Sequence, residues 1–239
     1  MRTRIAILTF LVGVWTCSSA WAYEAMDVMD GGTVSGEVKF AGNPPSAEKL
    51  EVTKDTEVCG RTEKLSEVLM VGANKGVQNV VVFLADVQKG KKLGASAKNP
   101  SFDQKGCQYI PHMLSFPVGS TLDILNSDGI LHNIHTHSER NPSFNQAQPK
   151  FKKVINKKFD HPETIKVTCD VHGLMSGWFV VQDHPYYAVT DANGAFQLTD
   201  VPPGDYELKI WHETLGETTQ KVSVKAKEDT KVSVELAKK

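Results

Sequence analysis

The chain has 239 residues, with 27 basic against 28 acidic side chains and a formal net charge of −1. So even a balance argues against nucleic acid as a partner. The length suits one large or two small domains, at the usual ~100 to 200 residues each.

Arg2 and Arg4 open the sequence, the apolar run Ile5 to Val14 follows, and Ala20-Trp21-Ala22 supplies the small-x-small pattern cut by signal peptidase. Residues 1–22 therefore read as a cleaved signal peptide, with Tyr23 as the mature N-terminus and the periplasm as the expected location. The apolar run is shorter than the roughly 20 residues of a membrane-spanning helix, and no later segment reads as a span. Cys17 is not read as a lipidation site, because Trp15 and Thr16 before it are too large for one. Loss of the leader removes two arginines and leaves 25 basic and 28 acidic residues, a net charge of −3.

Three cysteines survive this processing, Cys59, Cys107 and Cys169. In an oxidising compartment two of them pair and one is left over. The neighbours of Cys169 give it another use, so Cys59–Cys107 is the expected disulfide, with two unpaired buried thiols as the alternative.

Nearly every periodic stretch has period two. Gly32 to Phe40 is β-branched and alternating, with helical turns expected only in loops such as Ser46 to Lys54. Gln78 to Leu84 is a continuous apolar run, and Thr121 to Asn126, Thr164 to Cys169 and Gly177 to Gln182 are further short strands. The fold class that follows is all-β, of sandwich type. From Tyr187 the pattern becomes a regular meander. Ala188 to Thr190, Ala195 to Thr199, Tyr206 to His212, Thr219 to Lys225 and Thr230 to Leu236 alternate with the turns Asp191-Ala192-Asn193-Gly194 and Val201-Pro202-Pro203-Gly204. Asn-Gly predicts positive φ angles in a tight hairpin, and Pro-Pro-Gly forces a bend. This second, smaller sandwich carries no catalytic grouping.

Chemistry concentrates in the middle of the chain. Alternation in Ile165-Lys166-Val167-Thr168-Cys169 puts Ile165, Val167 and Cys169 on the core face, so Cys169 ends a strand with its sulfur directed inward. The tight loop Asp170 to Leu174 then brings His172 and Met175 back to the same point. A thiolate, two imidazoles and a thioether are the donors of a blue-copper electron-transfer site, with Met as the weak axial ligand. The second imidazole must come from elsewhere, and His132 is the candidate because it opens a strand after the turn Asn126-Ser127-Asp128. The expected metal ligands are thus His132, Cys169, His172 and Met175, and the expected cofactor is copper.

The Asn-x-Asp turn, His132-Asn133 and Cys169-Asp170-Val171-His172-Gly173-Leu174-Met175 together resemble the cupredoxin family, in its amicyanin and plastocyanin type. The resemblance covers about residues 101 to 184 and implies a Greek-key β-sandwich. It also implies that Asn133 ties the two ligand loops together beside the thiolate. The segment from Asp183 onward, with Pro202-Pro203-Gly204-Asp205-Tyr206 and Trp211-His212-Glu213, resembles exported bacterial proteins that join a cupredoxin-like segment to a carboxypeptidase-regulatory-like, transthyretin-type sandwich. Some of these relatives carry the label methylamine utilization protein. The expected organisation is a signal peptide over 1–22, an N-terminal β region over 23–100, a copper domain over 101–184 and the regulatory-like sandwich over 185–239. Gly32 to Val38 and Asn79 to Leu84 resemble strands of that last sandwich, so the N-terminal region either completes it, with the copper segment inserted, or stands in simple tandem.

Of the other histidines, His112 shares parity with Ile110, Leu114 and Phe116 and reads as a packed core residue, with an auxiliary ligand as the alternative. Met113 has the opposite parity and reads as a packing residue. His135-Thr136-His137 reads as exposed strand residues, with a second, weak copper or zinc site as the alternative. His161, His184 and His212 have no ligand spacing and read as structural. The lysines 150, 152, 153, 157 and 158 form a basic loop, a solvated face or else a docking patch for an acidic redox partner.

Three functions follow. The first is one-electron transfer with a redox partner protein, a periplasmic cytochrome or dehydrogenase; the second is copper carriage or storage; the third is a metal-free scaffold or adhesion module. An enzyme is not expected, since there is no nucleophile triad in context, no phosphate-cradling loop and no haem-attachment motif.

Overall fold

The computed structural model describes residues 23–93 and 99–238. The signal-peptide reading of residues 1–22 lies outside them. The fold is almost entirely β, as the period-two pattern predicts, and most of its strands form two sandwiches, with two short strand pairs beside them. Among the described residues no helix is long and apolar enough to cross a membrane.

The first sandwich is built from one continuous stretch. One sheet runs in the order Val154–Lys158, Thr121–Asn126, Ser101–Gln104, Tyr109–Ile110. The facing sheet runs Asn145–Gln148, His132–His137, Glu163–Thr168, Ser176–Gln182, Met113–Pro117. Their inner faces meet on an aromatic cluster. The Phe179 ring stands edge-on to Phe102, Phe116 and Phe159 at centroid distances of 4.7, 5.9 and 5.6 Å, the arrangement favoured by the quadrupoles of aromatic rings. Ile165, Val167 and Cys169 are buried while Lys166 faces water, so the alternation of that strand is realised.

The second sandwich draws strands from both ends of the chain. One sheet runs Tyr187–Val189, Val81–Leu84, Gly204–His212, Gly216–Val224. The other runs Ala195–Val201, Gly32–Phe40, Asp229–Leu236, the last two paired in parallel. Gly36 is required by this close pairing, because a Cβ there would meet the carbonyl oxygen of Val232 at 1.9 Å.

Three local expectations are corrected. No helix forms over Ser46 to Lys54; the helical turn is Thr56–Cys59, entered through Asp55 at φ 48° and ψ 45°. In the turn Asp191 to Gly194 only Gly194 has positive φ, +74°. Asp191 Oδ1 accepts from the N–H groups of Asn193 and Ala195 and holds the turn in place of a second left-handed residue. The shared parity of Ile110 and His112 also fails, with Ile110 48% exposed and His112 buried. Pro111 separates the strands Tyr109–Ile110 and Met113–Pro117, so alternation does not carry across it.

The two sandwiches meet at Val81, Met113 and Val180, with Trp178 and Trp211 packed against them, their rings 5.1 Å apart and T-shaped.

Candidate metal centre

The strand Thr121–Asn126 ends in a turn that the Asn126 side chain organises. Its Nδ2 donates to the carbonyls of Ile130 and Gln148, both at 2.8 Å, and its Oδ1 accepts from the N–H of Asp128 at 3.2 Å. The turn delivers His132, fully buried, as the first residue of the next strand. It also points the Asp128 carboxylate at the His132 imidazole, Oδ2 to Nε2 2.9 Å. The same carboxylate accepts from the backbone N–H groups of Gly106 and Cys107.

The loop after Cys169 closes on itself. The N–H of Met175 donates to the His172 carbonyl at 3.0 Å, and the N–H of Cys169 donates to the Met175 carbonyl at 3.2 Å. Asn133 holds this loop from the neighbouring strand, because its Oδ1 accepts from the N–H groups of Asp170 and Val171 at 2.6 and 3.3 Å. His172 is buried, and its Nε2 meets Asp55 Oδ2 at 2.7 Å.

Each imidazole therefore has its Nε2 against a carboxylate, which fixes the proton there. The two Nδ1 atoms face each other 3.0 Å apart, and Cys169 Sγ lies 3.9 Å from Nδ1 of His172. One donor atom from each of His132, Cys169 and His172 lies within 4.8 Å of the others. Two bare nitrogen lone pairs and a sulfur at such separations repel unless a proton or a metal ion lies among them. That donor set fits copper. Met175 is 2% exposed and packs in the same core cluster as Cys169.

The electrostatics have the same sense. Burial pushes the Cys169 thiol up, but hydrogen bonds with the His132 ring, the Asn133 and His172 backbone and the His172 ring outweigh it and bring the pKa from 9.0 down to about 7. Burial pulls His132 down, yet its bonds to Asp128 and Cys169 raise it to about 8. Asp128 itself is held below the usual carboxylate range, burial being overcome by His132 and the two backbone donors.

Two participants are absent from the expected set. Asp55 lies 117 residues from the histidine it touches, and nothing in its local sequence marks it. The Cys59–Cys107 disulfide is present with Cα atoms 5.2 Å apart, and its sulfurs pack within 4.8 Å of a His172 ring nitrogen. Cys59 lies on the helical turn that Asp55 enters, and Cys107 donates its N–H to Asp128. The disulfide thus joins the segment that carries Asp55 to the one whose backbone holds the Asp128 carboxylate.

His135 and His137 lie on the outer face of their strand with rings 4.4 Å apart. His135 Nδ1 pairs with Asp170 at 3.1 Å and His137 Nε2 with Thr168 Oγ1 at 2.9 Å. Among the described residues, every group of three donors close enough for one ion includes His132 or His172. His184 and His212 are buried and hydrogen-bonded to backbone, the former to the Leu84 carbonyl and the latter to the N–H groups of Thr214 and Leu215. His161 is exposed.

Residues 179–237 match the family model of the carboxypeptidase regulatory-like domain. No curated protein matches the sequence. Among solved structures the chain is similar to a reduced amicyanin, at 21% identity over 37% of this chain and 86% of that one, TM-score 0.33. It is similar to a purple cupredoxin from Nitrosopumilus maritimus, at 21% identity over 35% of this chain and 100% of that one, TM-score 0.31. A copper-containing nitrite reductase from Thermus scotoductus is 21% identical over 39% of this chain and 25% of that one, TM-score 0.31.

Proposed function

We propose that this chain is a periplasmic copper protein that passes single electrons through a site made by His132, Cys169 and His172, with Met175 as the weak fourth donor. The observation that carries this reading is the pair of Nδ1 atoms facing each other at 3.0 Å with the Cys169 sulfur beside them, every outward nitrogen being held by a carboxylate. Bound copper would supply the Cu(I)/Cu(II) couple. The chain does the rest. Asp128 and Asp55 keep the Nε2 protons in place and so keep Nδ1 free to bind metal. Asn133 fixes the loop from Asp170 to Met175, so the donors keep their spacing through a change of charge. Ile134, Ile165, Val167 and Phe179, all buried, exclude water.

Full burial of both imidazoles favours retention of the ion over carriage. The partner in this reading is a redox protein such as a periplasmic cytochrome or dehydrogenase, and the chain is a carrier, not an enzyme.

The test is to load the mature protein with Cu(II), record visible and paramagnetic-resonance spectra, and repeat with Cys169→Ser. An intense thiolate-to-copper band that disappears in the variant is expected. A colourless parent with ordinary tetragonal copper would overturn the reading, and copper that a chelator removes rapidly would replace electron transfer with carriage.

A further inference from the structure

Among the described residues, a histidine held by a carboxylate at Nε2, with a buried Nδ1 turned away from it, occurs three times. His132 with Asp128 and His172 with Asp55 are two of them, and their free nitrogens converge on Cys169. The third is His112, at the junction of the two sandwiches. Its Nε2 is hydrogen-bonded to Glu213 Oε1, while the second oxygen of that carboxylate accepts from the Trp178 indole N–H at 2.8 Å. Both oxygens of Glu213 are thereby engaged as acceptors, so the imidazole proton is on Nε2 and Nδ1 presents a lone pair.

That nitrogen is buried and has no hydrogen-bond partner. The His112 side chain is only 3% exposed, and an orphaned polar atom in such a place is costly. It is not walled in by apolar atoms, however. His112 lines a cleft of about 160 Å³ together with Glu67, Gln108, Met175 and Ser176. The Glu67 carboxylate stands in the same cleft, Oε2 4.0 Å from His112 Nδ1, and Gln108 Nε2 approaches that oxygen at 3.4 Å. Tetrahedral coordination at about 2.0 to 2.2 Å sets two donors roughly 3.4 Å apart, so the 4.0 Å between nitrogen and oxygen closes on one ion with a small turn of the partly exposed Glu67 side chain.

We infer that His112 and Glu67 form a second metal site that takes a zinc-class divalent cation, with Glu213 as the residue that orients His112 and water completing the coordination. Nitrogen and oxygen donors without a thiolate suit zinc better than Cu(I). The site is separate from the Cys169 centre but shares a wall with it, since Met175 borders the cleft.

The experiment uses the copper-loaded full chain titrated with Zn(II), followed by calorimetry and by metal analysis, with zinc-edge X-ray absorption on the product. One further equivalent of zinc is expected, with nitrogen and oxygen neighbours and no sulfur, while the copper content and visible spectrum remain as they were. Glu67→Gln and His112→Gln should each weaken zinc at least tenfold. Glu67 is partly exposed, so the first variant keeps the fold where the second risks it, and circular dichroism checks both. A sulfur neighbour would place the zinc on Cys169 and overturn the proposal. Zinc that survives Glu67→Gln and is lost with His137→Asn would place it on the surface strand and overturn it equally. A protein that binds no zinc at all also refutes it. The same zinc titration on Cys169→Ser, which lacks the thiolate, gives these outcomes without reference to copper, so the two readings stand or fall separately.

Discussion

Asp128 and Asp55 bear on copper without touching it. Each occupies the outer nitrogen of one histidine, and loss of such a partner typically costs about 10- to 100-fold in metal affinity. Asp128→Asn and Asp55→Asn are accordingly expected to lower copper affinity by about that factor in a competition titration, with the thiolate band still present. In the metal-free protein the sign of the pH dependence can be worked out. His132, raised to about 8, contributes stability that is present below 6.5 and is lost as pH rises through 8. Cys169, lowered to about 7, contributes stability that is full above 9.0 and is lost as pH falls through 7. The two contributions change in opposite directions across this range, so stability is a poor reporter there and the sulfur itself is a better one. Ultraviolet thiolate absorbance of the metal-free chain should rise with a midpoint near pH 7, and His132→Gln should move that midpoint up. A parent midpoint at the ordinary thiol value would contradict the hydrogen-bonded arrangement. The inward sulfur of Cys169 was legible because Ile165 and Val167 share its parity and burial. Asp55 was not legible, since its contact exists only once two segments 117 residues apart have met.

Strands were easier to read than the links between them. Ile165 to Cys169 shows its alternation in five residues, and the prediction that follows is a contrast between neighbours. Ile165→Ala, at a fully buried position, is expected to cost about 2 to 5 kcal/mol. Lys166→Ala, facing water, should stay within about 0.5 kcal/mol, both measured by urea unfolding of the metal-free chain. Where Pro111 breaks the strand, parity stops carrying information, and so Ile110 and His112 part company. The helical turn moved from Ser46–Lys54 to Thr56–Cys59 because no periodic pattern marks a single turn; its position follows from the disulfide and from the Asp55–His172 contact. That disulfide spans 48 residues, for which loop-closure entropy gives about 4 kcal/mol of stabilisation. Replacing both cysteines by alanine should cost the metal-free chain on that order and also loosen the segment that carries Asp55 and the backbone donors that hold Asp128. Copper affinity should then fall with stability, and an unchanged affinity in the folded variant would show that the bond has no part in shaping the site.

Across the whole molecule, the junction between the sandwiches is where acid should act. Burial pulls His212 down from 6.5 to about 4, against the pull of Glu213. The unfolded chain therefore binds a proton that the folded chain refuses, and stability should decline as pH falls from 6.5 through about 4. His212→Gln should flatten that part of the curve, as followed by thermal unfolding of the metal-free protein at fixed salt. The all-β class and the presence of two sandwiches could be read from period and turn chemistry. How the N-terminal strands would be used could not, because a strand's sequence reports which of its faces is buried and not which neighbour covers its edge. Beside the resemblance of Gly32 to Val38 and Asn79 to Leu84 to strands of that sandwich, Gly36 carries a physical trace, a residue too small for its strand unless another backbone comes very close. The parallel pairing of Gly32–Phe40 with Asp229–Leu236 also sets a timetable. A chain released from its N-terminus onward can close the copper sandwich from one continuous run, but its first long strand has to wait for its last. Throughout that interval an unpaired edge faces solvent, open to any other extended chain, so a loss of residues at the C-terminus would be felt first near the N-terminus, as aggregation.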